Sequence, residues 1–312
     1  MIITGDSLTE LRKLPDASVH CCVTSPPYWG LRDYGTPGQL GLEKTPEEYV
    51  AKMIEVFREV KRVLRDDGTL WLNFGDSYFS TQNSNRNGCD GSLGGKTRGR
   101  GEYKTQVRES DTLKQKDLCG IPWRTAFALQ ADGWYLRQDI IWSKPNPMPE
   151  SVTDRCTKAH EYIFLMSKSP KYYYDAESIK EKATVGCRDT DFMPVSDKDK
   201  SATAATAATA ASMNGRTGRF IDTRNRRSVW TVTTKPFKGA HFATFPPDLI
   251  EPMIKAGCPL GGVVLDPFFG AGTTGVVAMK LGREFIGIEL NPAYVEMAKT
   301  RIYGDILKST EE

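Results

Sequence analysis

Two short stretches of this 312-residue chain carry side chains whose types and spacing could do chemistry. Near the C-terminus, residues 265–275 read Leu-Asp-Pro-Phe-Phe-Gly-Ala-Gly-Thr-Thr-Gly. Gly270, Gly272 and Gly275 satisfy G-x-G-x-x-G between an apolar run and a helix-like one, and Glu289 follows Gly270 by 19 positions. Glycines at that spacing let the backbone approach a ligand, and an acidic side chain ending the next strand can accept both hydroxyls of a ribose. Near the N-terminus, Thr24-Ser25-Pro26-Pro27-Tyr28-Trp29-Gly30 closes another apolar run. Each proline fixes φ and removes an N–H. The result is a rigid turn offering the Ser25 hydroxyl, a proline carbonyl and the Tyr28 ring. A planar aromatic amine suits it, with the ring stacked on tyrosine and the amine hydrogens aimed at the two oxygens.

Nicotinamide dinucleotides and S-adenosylmethionine both carry an adenosine ribose, so Glu289 serves either. Only 23 residues follow Glu289, too few for a second mononucleotide-binding half in the usual order. A nicotinamide enzyme also leaves the proline-aromatic turn without a task. Both points favour the methyl donor.

Composition narrows the remaining classes. Net charge is only +3, but Arg86, Lys96, Arg98, Arg100, Lys104, Arg108, Lys114 and Lys116 crowd one stretch. Arg216, Arg219, Arg224, Arg226 and Arg227 crowd a second. Localised basic charge in a nearly balanced chain points to a polyanionic partner. Seven scattered cysteines without a Cys-x-x-Cys pair, and three histidines, argue against a disulfide framework and against a metal centre. No apolar run approaches the roughly 20 residues of a membrane span, and the N-terminus lacks a signal peptide's pattern. A cytoplasmic protein is the expectation.

Regular elements must hold these groups in place. Ile2-Ile3 and Val19 to Val23 read as strands, the second ending at the prolines. Thr45, Pro46 and Glu48 announce a helix with a capping box, with Val50, Met53, Phe57, Val60 and Leu64 on one face and Gly68 as its stop. Residues 69–74 form a buried strand, then 76–117 lose all periodicity. A helix over 122–131 and strands over 135–142 and 162–166 restore it. Residues 176–228 are polar and include the low-complexity run 201–211. The helix face Leu249, Ile250, Met253 and Ile254 then precedes strand 262–266, helix 274–281, strand 284–290 and helix 292–302. In an open parallel sheet, ligands bind where strand order reverses. Strands 19–23 and 262–266 are expected to be neighbours at that place.

Six segments in order resemble the DNA amino-methyltransferases of the N6-adenine/N4-cytosine family, in the β arrangement where the catalytic half comes first. They are residues 4–15, the Ser25-Pro26-Pro27-Tyr28 tetrapeptide, 142–151, 160–168, 241–250 and 266–275. The resemblance spans most of the chain apart from the two polar insertions. It implies an α/β, Rossmann-like S-adenosylmethionine-dependent fold, with a mostly parallel twisted sheet flanked by helices, circularly permuted and carrying polar insertions. Residues 1–175 would form the catalytic half with a basic loop at 76–117. Residues 176–235 would be a target-recognition insertion, and 236–312 the cofactor half.

The same resemblance makes Ser25, Pro26, Pro27 and Tyr28 catalytic. It assigns Asp6, Thr244, Asp266, Phe268, Gly270, Gly272, Thr273 and Glu289 to S-adenosyl-L-methionine. Arg98, Arg100, Arg224, Arg226 and Arg227 are expected on double-stranded DNA. Serine at the first tetrapeptide position leans toward the N4 of cytosine and aspartate toward the N6 of adenine, so cytosine is favoured. A cytosine-C5 enzyme would need a Pro-Cys pair, which is absent. The resemblance further implies a bacterial or phage-infected cell, and it leaves open both a separately acting restriction endonuclease and a homodimer. The rival classes are a nicotinamide-dependent oxidoreductase and a DNA-binding protein without transferase activity.

Overall fold

The computed structural model describes residues 1–31, 33–80, 108–183, 223–235 and 245–309. Its main feature is one mixed sheet of eight strands. These are β1 (Ile2–Thr4), β2 (Val19–Thr24), β3 (Leu64–Phe74), β4 (Tyr135–Ser143), β5 (His160–Ser167), β8 (Val229–Thr231), β9 (Val263–Asp266) and β10 (Glu284–Glu289). Their spatial order is β1-β10-β9-β2-β3-β5-β4-β8. The pairs from β1 through β3 are parallel, β5 runs antiparallel to both β3 and β4, and β8 is parallel to β4. This is the Rossmann-like architecture expected, mostly parallel and flanked by helices.

Alternation along β3 sorts the two layers. Leu70, Leu72 and Phe74 face a core shared with helices α1 (Ser7–Leu11), α2 (Pro46–Val63) and α3 (Ile121–Ala131). Thr69 and Trp71 face the other way, toward α4 (Pro247–Gly257), where a Cβ on Gly257 would stand 2.6 Å from the Trp71 ring nitrogen. A strand buried on both faces reads as a continuous apolar run, as residues 69–74 do. Tyr49, Met53, Phe57 and Val60 of α2 are fully buried, each such side chain contributing about 1.5–3 kcal/mol.

Several boundaries differ from the sequence reading. Thr45 Oγ1 accepts from Glu48 N at 3.1 Å as expected, but the Glu48 carboxylate reaches Lys44 N instead of Thr45 N. The α2 helix ends at Val63, and Gly68 sits inside β3. Leu64 is already extended and pairs with Val19, and β2 then advances to Cys21 while β3 advances to Thr69. Residues Arg65 to Gly68 therefore form a bulge, with Gly68 where a Cβ would come 3.0 Å from the Arg65 carbonyl. The sequence reading also missed α1 and β8. Residues 176–227 form a separate compact unit, whereas Ser228 onward belongs with the large sheet, although the insertion was expected to run to 235. The smaller unit contains β6 (Glu181–Lys182) paired antiparallel with β7 (Thr223–Arg224). No helix among the described residues is long and apolar enough to cross a membrane.

Candidate active site at the junction of β2 and β9

Strands β2 and β9 are hydrogen-bonded neighbours, with Cys21 opposite Val264 and Cys22 opposite Leu265. From β2 the sheet continues through β3, β5, β4 and β8 to one side, and from β9 through β10 and β1 to the other. The Ser25-Pro-Pro-Tyr28 turn and the Pro267-to-Gly272 loop thus leave adjoining strands at the same edge, as the position of the switch point requires. A side-chain bond fastens them: Thr24 Oγ1 donates to Asp266 Oδ1 at 2.7 Å. Phe268 N donates to the same oxygen at 3.1 Å, and Thr274 Oγ1 to the other at 2.6 Å. Burial raises the Asp266 carboxyl to about 6 despite these three donors. Asp266, expected at the cofactor, has its carboxylate turned to protein groups that tie the two loops together.

The three loop glycines serve three ends. Gly270 has φ +50°, and a Cβ there would meet nothing within 4 Å, so the backbone borders open space. Gly272 has φ +76° and sits where a Cβ would lie 2.8 Å from that of Ala298. Gly275, in α5 (Thr273–Lys280), lets Phe269 pack 2.7 Å from where its Cβ would be. The Glu289 carboxylate is fixed at the end of β10, accepting from Gly270 N at 2.7 Å and Asn291 N at 2.8 Å. Burial raises its pKa against those backbone donors. A carboxylate has about four lone-pair sites, so each Glu289 oxygen retains capacity for a ribose hydroxyl. Open backbone at Gly270 beside a prearranged acceptor fits an adenosine.

Phe268 is half-buried at this loop, while Phe269 is core, stacked on Phe285 with centroids 5.5 Å apart. Thr273 is buried and accepts from Arg301 Nη1 at 2.8 Å. Asp6 caps α1, with Oδ1 accepting from Thr9 N at 2.9 Å and Thr9 Oγ1 at 2.8 Å. Thr244 lies outside the described residues.

The facing wall is assembled from four strands. Because β5 runs against its neighbours, its first residues lie where β3 and β4 end. Glu161 thereby reaches the Tyr28 hydroxyl, which donates to its Oε2 at 2.8 Å. Asn73 Nδ2 donates to the same oxygen at 3.2 Å, and Lys144, just past β4, pairs with Glu161 Oε1. Ser25 Oγ donates to the Tyr28 oxygen at 3.3 Å. Burial first, and Glu161 second, hold the tyrosine pKa well above its usual value. The Tyr28 ring lies against Gly75, where a Cβ would stand 2.6 Å away. Trp29 is buried, donates to the Glu43 carbonyl at 2.9 Å, stacks on Phe79 and has the Arg108 guanidinium over its ring. The Pro27 carbonyl accepts from the Tyr49 hydroxyl at 2.8 Å. The sequence reading missed Glu161, Lys144 and Asn73, although residues 142–151 and 160–168 were singled out as segments.

In the smaller unit, Arg224 Nε and Arg227 Nε donate to Glu181 Oε1 at 2.8 and 2.6 Å. Arg226 also belongs to this unit. Arg98 and Arg100 lie outside the described residues. Among the described residues no group of three or more His, Cys, Asp or Glu could hold a metal ion.

A glycine loop bordering open space, a carboxylate held by backbone N–H groups and a rigid proline turn across one switch point define a methyltransferase-type crevice. The model of a family described as DNA methylase matches residues 19–300, and the chain belongs to that family. It is 48% identical over 304 residues to the Type II methyltransferase M.Cfr9I of Citrobacter freundii, covering 97% of this chain and 88% of the relative. It is 49% identical over 302 residues to M.SmaI of Serratia marcescens, covering 96% and 90%. Among solved structures, the PvuII DNA methyltransferase superposes with a TM-score of 0.61 at 20% identity, covering 96% of this chain and 85% of that one. A DNA modification methylase of Thermus thermophilus, solved with S-adenosyl-L-methionine, gives 0.58 at 23%, covering 96% and 92%. The protein is a Type II DNA methyltransferase that uses S-adenosyl-L-methionine, and the nicotinamide reading falls.

Proposed function

We propose that the protein methylates the exocyclic N4 of a cytosine flipped out of duplex DNA. The observation that carries this is the Ser25 turn held across the switch point from the Gly270 loop by the Thr24–Asp266 bond. The cofactor supplies a methyl group made electrophilic by its sulfonium. The chain's own task is to hold the amine in line and restore its lone pair. That lone pair is delocalised into the ring. Hydrogen bonds from the two amine protons to Ser25 Oγ and a proline carbonyl draw the nitrogen toward sp³. Since Tyr49 occupies the Pro27 carbonyl, we assign the acceptor role to that of Pro26. Serine is no strong base, so attack precedes proton loss to solvent.

Serine at position 25, in place of aspartate, supports cytosine over adenine. The structurally similar PvuII enzyme, which is cytosine-N4-specific, supports it further. N6 of adenine is the second reading. Flipping a base costs a few kcal/mol, which phosphate contacts from Arg98, Arg100, Arg224, Arg226 and Arg227 would offset, with affinity falling as salt rises. Residues 176–227 would select the target. Glu289 would take the ribose, Phe268 the adenine face, Asp6 the adenine, and Thr244 the methionine carboxylate beside Gly270, Gly272 and Thr273. We place the enzyme in the cytoplasm beside a separately acting endonuclease, with a homodimer testable by sedimentation. Nucleoside mass spectrometry of DNA incubated with the protein and methyl donor should find N4-methylcytosine. N6-methyladenine alone would reverse the target assignment.

A further inference from the structure

The methyl-acceptor side carries a chain of hydrogen bonds whose direction matters. To accept a hydrogen bond from the target amine, Ser25 must point its own hydroxyl proton elsewhere. The geometry sends it to the Tyr28 oxygen, 3.3 Å away. Tyr28 can receive that bond and still satisfy its own proton only by donating onward, which it does to Glu161 Oε2 at 2.8 Å, with Asn73 Oδ1 a longer second acceptor at 3.4 Å. A carboxylate only accepts, so Glu161, the nearer of the two acceptors, sets the polarity of the chain. Asn73 Nδ2, at 3.2 Å, and Lys144 hold the carboxylate in place. Asn73 is fixed in turn by donating to the Tyr162 carbonyl at 3.1 Å.

We infer that Glu161 is a positioning residue for methyl transfer: acting through the Tyr28 hydroxyl, it turns the Ser25 oxygen's lone pairs toward the target amine. It also anchors the Tyr28 ring, on which the flipped base would stack, against Gly75. The inference rests on the amino-methyltransferase reading of Ser25 and Tyr28.

The test uses the full chain, duplex DNA and single-turnover methyl transfer, with S-adenosylhomocysteine affinity and the melting midpoint as controls on folding. In Glu161→Gln, Lys144 draws the amide oxygen, and the amide hydrogens face Tyr28. The Tyr28 proton then keeps only the longer contact to Asn73 Oδ1, and the transfer rate constant should fall at least about tenfold, as for one charged hydrogen bond, with S-adenosylhomocysteine affinity unchanged. Adding Lys144→Met to Glu161→Gln lets the amide oxygen turn back toward Tyr28 and Asn73, and the rate should recover to within about threefold of wild type. In a Tyr28→Phe background, Glu161→Gln should slow transfer no further. A purely structural role for Glu161 would not produce recovery from a second substitution. Should Glu161→Gln not fold, Glu161→Leu with Lys144→Met keeps an apolar pair there and must be as slow as Tyr28→Phe. Full activity in Glu161→Gln, or no recovery in the double variant, overturns the inference. A wild-type chain that methylates no DNA would instead sink the functional reading.

Discussion

The wall of the crevice proposed to hold the cofactor takes its principal groups from one stretch of chain, Asp266 to Glu289. The wall around Tyr28 takes its groups from the ends of β2, β3 and β4 and the beginning of β5. The first is built largely from backbone, with glycines shaping it and one carboxylate pinned by main-chain N–H groups. The second is built from side chains that orient one another. A wall of backbone should fail by losing ligand affinity, whereas a wall of side chains should fail by losing rate.

Substitutions can sharpen or break that contrast. Glu289→Ala removes a charged acceptor for two ribose hydroxyls and should weaken S-adenosyl-L-methionine binding about 100-fold by calorimetry; DNA affinity should stay unchanged. A matching loss of DNA affinity would mean the walls are not separable. The glycines divide stability from binding. Gly272→Ala, strained at φ +76° and crowded by Ala298, should cost about 2–4 kcal/mol in denaturant unfolding. Gly270→Ala meets no neighbour within 4 Å, so it should cost only about 1–2 kcal/mol while its methyl group obstructs the cofactor. Equal destabilisation by the two would contradict open space at Gly270.

Asp266, which joins the walls, yields a prediction read in pH. Its folded pKa of about 6 lies above the ordinary carboxyl value of 3.8. Between those values the folded chain keeps a proton that the unfolded chain has lost. Its contribution to stability is therefore full at low pH and falls as pH rises through about 6, by at most about 1.4 kcal/mol per pH unit. Asp266→Asn should remove that segment of slope from a series of unfolding curves. An unaltered slope would assign it to other groups.

This division also governs what was legible in the residues alone. The Gly270 loop and Glu289 announce themselves because strand, glycines and acid follow one another at fixed spacing. The α2 helix was readable from Thr45, Pro46 and the spacing of Met53, Phe57 and Val60. The neighbouring of β2 and β9 followed from the switch-point rule and is present in the register of Cys22 with Leu265. Glu161, Lys144 and Asn73 were not legible as a set, because only the reversed direction of β5 brings them together. Gly68 misled because a glycine after an amphipathic face normally ends a helix. Here Leu64 had already turned into the strand, and the glycine serves the bulge. The three residues of β8 were too few to show a period, and pairing with β4 makes them a strand.

The most direct test of the two-walled crevice is Ser25→Ala, measured once for cofactor affinity and once for methyl transfer to DNA. Affinity for S-adenosyl-L-methionine should match wild type, while the transfer rate falls at least about 100-fold, the scale on which removing one catalytic hydrogen-bond partner acts. Undiminished transfer, or affinity lost in step with rate, would contradict the account.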